Sequence, residues 1–117
     1  MAMEYSQNEQ ADRREYPRIA LETKVSIRIS DLQPLIPGWI QNISRGGFKL
    51  KSDNPLRNKD LFRSGNEVYF ETYEDFFKLK GRGEVIWASP RENEAGIKFD
   101  ELDQRSKKFL EDFLGMF

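Results

Sequence analysis

Two short runs in this sequence combine residue types able to grip a planar, anionic ligand. The first is Arg14-Glu15-Tyr16-Pro17-Arg18, with Arg13 directly before it. A guanidinium can bond phosphate oxygens as a fork, bond the O6/N7 edge of guanine in the same way, and stack on a base, whereas lysine offers only a point charge. The same spacing also suits a solvated basic turn, since arginines four apart are common on surfaces. The second run is Asn42-Ile43-Ser44-Arg45-Gly46-Gly47. Asn42 carries both donors and acceptors and Ser44 a hydroxyl, which suits a base edge displaying both kinds of group. Gly47, without a Cβ, would let backbone N–H groups come close to a ligand. Asn, Ser and Gly are equally what an ordinary hairpin would use. Asn42-Ile43-Ser44 also matches a glycosylation sequon, a reading that the lack of a secretory signal argues against.

Strands must position both runs. Ile19, Leu21, Val25, Ile27 and Ile29 fall on alternate positions with polar residues between them, which predicts a half-buried strand. Ser30 to Gly38, with Asp31 and two prolines, reads as a loop. Trp39–Ser44 and Phe48–Lys51 read as a hairpin around Arg45-Gly46-Gly47, the glycine pair relieving the steric cost of positive φ. Asn42 and Ser44, two apart on a strand, then share one face while Ile43 turns to the other. A polar loop from Ser52 to Gly65 follows. Glu67–Tyr73 and Phe76–Trp87 read as strands, with Gly81 and Gly83 marking a bend or bulge. Ala88–Glu94 is a turn around Pro90, and Ala95–Phe99 the last strand. Leu102, Ser106, Phe109, Leu110, Phe113, Leu114 and Phe117 then trace a helical stripe over about 102–115, with Asp103 as N-cap. Residues 1–12 read as a flexible leader, and Pro17 biases Tyr16 toward extended backbone. Six or so short strands and one closing helix predict an all-β fold, a small antiparallel barrel with a C-terminal α-helix.

Composition narrows the function classes. A chain of 117 residues, 38% hydrophobic and 13% aromatic with nine Phe, is sized for one globular domain. Its 19 basic and 20 acidic residues leave no positive field for a long nucleic acid, so DNA and RNA are not expected partners. Without Cys or His, Ser-His and Cys-His nucleophile pairs and His-rich metal sites are excluded. The carboxylates are scattered among basic neighbours, and no GxSxG, Walker or HExxH pattern is present, so an enzyme is not expected. The N-terminal run lacks an apolar signal region and no segment approaches the ~18–20 apolar residues of a membrane span, which points to a cytoplasmic address.

Taken in this order, in an all-β chain of this size, the two runs resemble the PilZ domain family, whose signature is RxxxR followed by [D/N]xSxxG. Gly83-Glu84-Val85-Ile86-Trp87 and Gly96-Ile97-Lys98-Phe99 look like the family's late strands, so the resemblance covers about residues 13–115 and implies one domain over 13–117. It implies a six-stranded barrel that binds cyclic di-GMP and needs no cofactor. Arg14 and Arg18 would contact guanine edges and phosphates, and Asn42, Ser44, Gly46 and Gly47 would meet a guanine from the barrel side. The position of Arg13 resembles that of a stoichiometry selector, implying an intercalated ligand dimer. Asn42 stands where the family often has Asp, and the missing charge-assisted bond would lower affinity by ~1 kcal/mol. The implied role is an adaptor whose N-terminal arginine segment is ordered by ligand and whose altered surface is read by a downstream protein. Two other readings remain. One is a PilZ-like scaffold that acts without ligand. The other is a single-stranded nucleic-acid module with Phe48, Tyr69, Tyr73 or Trp87 as stacking platforms, although their recurrence at strand period makes the same rings barrel core.

Overall fold

The computed structural model describes residues 18–28, 35–52 and 63–117. Ile29, the last residue of the first alternating run, lies outside them. The six strands are β1 (Ile19–Arg28), β2 (Ile36–Ile43), β3 (Gly47–Ser52), β4 (Glu67–Thr72), β5 (Lys80–Ser89) and β6 (Glu94–Leu102), followed by the helix α1 (Gln104–Leu114). They form a closed barrel in the order β1-β2-β3-β6-β5-β4, with every neighbouring pair antiparallel.

The period-2 pattern of β1 sets the inside and outside of this barrel. Thr23, Val25 and Ile27 are wholly buried, and Glu22 and Lys24 face outward. Phe48 of β3, Phe70 of β4 and Phe99 of β6 meet in the interior, with ring centroids 5.1, 5.9 and 5.7 Å apart. Such edge and tilted contacts add to the stabilisation that burial alone provides.

Several boundaries differ from the sequence expectations. β2 begins at Ile36, so Pro37 and Gly38 belong to the strand rather than the loop; Ile36 pairs with Ile27 and carries the ladder to that end. The run Phe76–Trp87 is not one strand. β4 ends at Thr72, a turn follows, and β5 starts only at Lys80. The reason is the buried Thr72 hydroxyl, which donates to the Phe77 carbonyl and accepts from the Leu79 N–H, both at 2.8 Å. This turns Phe77 and Leu79 inward. β6 runs on to Leu102 because Gly81 and Arg82 still have partners there, and the register shift beside Gly83 is the expected bulge.

α1 is correspondingly shorter than expected, since Leu102 ends a strand. Asp103 is the N-cap, its carboxylate accepting from the Ser106 N–H at 2.7 Å. The Ser106 hydroxyl in turn accepts from the Lys80 N–H at 2.7 Å, which fastens the first helical turn to β5. Phe109 and Phe113 meet the buried Phe77 edge-on at 5.0 and 5.1 Å. The apolar stripe therefore completes the core as far as Phe113 and Leu114, while Phe117 is 73% exposed.

Candidate functional site

A bulge in β2 decides where Asn42 points. Ile40 pairs with Leu50 and Asn42 with Lys49, leaving Gln41 without a register partner. Strict alternation from the buried Ile40 would send Asn42 inward. The extra residue shifts the phase, so Ile43 is buried and Asn42 faces the barrel exterior. There Arg18, directly before β1, donates from Nη1 to Asn42 Oδ1 at 2.8 Å. The two runs that the sequence analysis singled out are therefore joined by a side-chain hydrogen bond. Arg13 and Arg14 lie outside the described residues.

Ser44 and the glycines are placed differently from the first reading. Ser44 is 4% exposed, and its Oγ accepts from the Gly46 N–H at 3.2 Å while its own N–H donates to the Gly47 carbonyl at 2.9 Å. Its oxygen thus faces its own turn. The glycine pair does not supply positive φ, since Gly65 is the only glycine with positive φ among the described residues. Gly47 is needed because β6 passes where its side chain would be, a Cβ there overlapping the Ile97 carbonyl. The Gly46 carbonyl accepts from the Phe99 N–H at 2.9 Å, pinning the same turn to β6. These contacts hold the turn rigidly beside Asn42.

Register extends the face across the barrel. Ala20, Asn42, Lys49, Gly96 and Trp87 are successive partners on β1, β2, β3, β6 and β5. Trp87 lies with its indole over Gly96, where a Cβ would collide with the ring, and it is 40% exposed. Lys49 is paired with Glu94 at 3.3 Å. Asn42 and Trp87 are three strand spacings apart, roughly 14 Å at ~4.8 Å per spacing. Guanidinium, amide, ammonium and indole therefore share one outer face, with the scale of a dinucleotide rather than of a single base.

Of the four aromatics weighed as core or stacking platforms, Phe48 alone is core. Tyr69, Tyr73 and Trp87 face outward. Trp87 was not among the expected ligand residues. Its place depends on a pairing with Gly96 across β5 and β6 and on a register shift beside Val85, neither of which spacing reveals. No group of three metal-ligating side chains occurs among the described residues, and no helix there is long and apolar enough to cross a membrane.

A family model, the PilZ domain, matches residues 12–115. Among solved structures, the chain is similar to the PilZ domain of CeSA from a cellulose synthesizing bacterium, with a TM-score of 0.62 and 18% identity over 86% of this chain and 97% of that one. It is also similar to the Bacillus subtilis inhibitor of motility MotI/DgrA, with a TM-score of 0.64 and 18% identity over 89% of this chain and 51% of that one. No curated protein sequence matches it at a significant level.

Proposed function

The chain belongs to the PilZ domain family, and from that premise we propose that it is a receptor for cyclic di-GMP acting as a non-enzymatic adaptor in the cytoplasm. The observation that carries this reading is the 2.8 Å hydrogen bond between Arg18 and Asn42. It brings Arg18, the last residue of the arginine run, and the polar turn to one outer face, where a doubly charged guanine dinucleotide could meet both. In this reading Arg14 and Arg18 bond phosphates and guanine edges, Asn42 bonds a base edge, and Trp87 offers its exposed indole for stacking. Ser44, Gly46 and Gly47 act through the turn they build, which fixes the backbone next to Asn42.

Ligand would draw the arginine segment onto the barrel, and ordering a segment costs about 1–2 kcal/mol per residue, so a ligand with several charged contacts suits the task. The surface so altered would be read by a downstream protein. One structural neighbour is named an inhibitor of motility and another comes from a cellulose synthesizing bacterium, so movement and polysaccharide synthesis are the outputs to examine first. Calorimetric titration with cyclic di-GMP tests the reading. Saturable heat is expected at micromolar ligand, and Arg18→Ala and Asn42→Ala each weaken binding by about tenfold or more. Absence of heat at tens of micromolar, or unaltered binding by both variants, overturns it. Two ligands per chain is the stoichiometry expected from Arg13; a value of one removes the dimer.

The outward exposure of Trp87, Tyr69 and Tyr73 favours one competing reading, a single-stranded nucleic-acid module. The net charge of -1 weighs against it. A gel shift with mixed oligonucleotides at moderate salt separates the two.

A further inference from the structure

Charge is divided unevenly around the barrel wall. The contiguous strands β1, β2 and β3 carry Lys24, Arg28, Lys49 and Lys51 against one carboxylate, Glu22, whereas β4, β5 and β6 carry six carboxylates against three cations. In a chain of net charge -1, one half of the wall is therefore positive and the other negative. A division of this kind draws an anionic partner to one side and turns it away from the other.

Within the positive half, register builds one row. Lys24, Trp39 and Lys51 are successive partners on the outer surface of β1, β2 and β3. Two strand spacings separate the lysines, roughly 10 Å at ~4.8 Å per spacing. The carboxylates nearest them are engaged elsewhere. Glu94, the register partner of Lys51, is paired with Lys49 at 3.3 Å. Glu74 accepts from the backbone N–H of Lys24 at 2.7 Å and from the Thr23 hydroxyl at 3.1 Å. Glu22 is exposed two residues before Lys24. Neither Lys24 nor Lys51 is in an ion pair with any described residue. The Lys24 ammonium lies instead 5.5 Å from the Trp39 ring centroid. Such a contact steadies an ammonium without consuming its N–H donors. Trp39 has contacts of its own and enters only as this support.

The row thus offers two point charges in fixed register, suited to single carboxylate oxygens rather than to the fork geometry that arginine provides for phosphate. Two lysines also release too few counterions to hold a nucleic acid firmly. On an α-helix, residues i and i+7 lie on one face about 10.5 Å apart, which matches the separation of the lysines. We propose that this row docks an acidic helix of the downstream partner, with a carboxylate at i meeting one lysine and a carboxylate at i+7 the other. This names the chemistry of the partner in the adaptor reading and rests on that reading.

The test is an amide-resolved NMR titration of the full chain, without cyclic di-GMP, using a synthetic stapled helix of about 15 residues with glutamates at i and i+7. An isomer of the same composition with the glutamates at i and i+2 serves as the control for net charge. Saturable shifts centred on Lys24, Trp39 and Lys51 are expected, with a Kd of about 0.1–1 mM near ~20 mM salt and binding at least about tenfold weaker near ~300 mM. The isomer is expected to bind at least about fivefold more weakly. A Lys24→Gln/Lys51→Gln double variant should weaken binding by about tenfold, whereas Lys107→Gln, on α1, should leave it unchanged. All three positions are exposed, and retained dispersion of the amide spectrum verifies folding. Because cyclic di-GMP is absent, failure here leaves the calorimetric result standing, and the two readings fail separately. The proposal is overturned by absence of saturable shifts up to about 5 mM peptide, by equal binding of the isomer, by a double variant that binds as the parent does, by shifts centred on another face, or by an oligothymidylate that binds this face more tightly than the peptide.

Discussion

Replacing Gly47 with alanine inserts a methyl group where β6 already runs. The new Cβ would overlap the Ile97 carbonyl and press on the Lys98 Cα at 3.1 Å. Both atoms belong to backbone, so no side-chain rotation relieves the clash, and β3 and β6 must move apart. The bonds at risk are the one from Phe99 N–H to the Gly46 carbonyl, 2.9 Å, and the adjacent rungs of the Gly47–Lys98 register. Losing about two such bonds at a net ~1 kcal/mol each gives a destabilisation of roughly 2 kcal/mol, in the usual range for overpacking. Urea denaturation followed by tryptophan fluorescence is then expected to show the midpoint falling by about 1 M, with a thermal midpoint lower by roughly 8 °C. Cyclic di-GMP affinity, measured well below that midpoint, should fall only partly, by about three- to tenfold, because the loosened turn still carries Asn42. The opposite pattern, parental stability with ligand binding lost, would falsify this account and restore a direct ligand-facing role for the glycine.

Three further outcomes follow from the same contacts. Phe48→Ala empties a wholly buried site between Phe70 and Phe99, so chemical denaturation should register a loss of about 3–5 kcal/mol. Asp103→Ala removes the helix N-cap and should lower stability by about 1 kcal/mol in the same assay. Hydrogen bonds from the Ser106 side chain, and next from its backbone N–H, hold the Asp103 carboxyl below its ordinary value. Its contribution is therefore present above the unfolded-state pKa and lost as pH falls through the folded one, and the gap between parent and variant should shrink in acid; a gap that widens there contradicts the assignment. For Trp87→Leu, fluorescence titration with cyclic di-GMP should lose the ligand-dependent change, and affinity should fall by about fivefold or more if the exposed indole stacks on a base.

How far the sequence revealed this molecule depended on whether a feature was local. Alternation in β1, the Asp103 cap and the Ser106–Leu110–Phe113 stripe were legible because they rest on period and on side chains close in sequence. The division of Phe76–Trp87 was not, because a buried threonine hydroxyl stands in for ladder pairing there and turns Phe77 under a helix that begins 27 residues later, at Gln104. The direction of Asn42 came out as expected, though by a route that spacing could not show, since the unpartnered Gln41 resets the phase. Gly47 was read as admitting the approach of a ligand, and what a side chain there would strike is β6, whose proximity is a matter of topology. Trp87 looked like core because the aromatics recur at strand period, and its exposure follows from register with Gly96.

Closure of the sheet has a further implication for any downstream partner. β4 bonds back to β1, so every strand in the ring has neighbours on both sides. Where the ladders overlap, as over Val25–Arg28 between β1 and β4, main-chain donors and acceptors are consumed within the ring and offer a foreign strand nothing to zip onto. Along those stretches a binding protein must read side chains projecting from the wall, which makes its selectivity tunable one residue at a time.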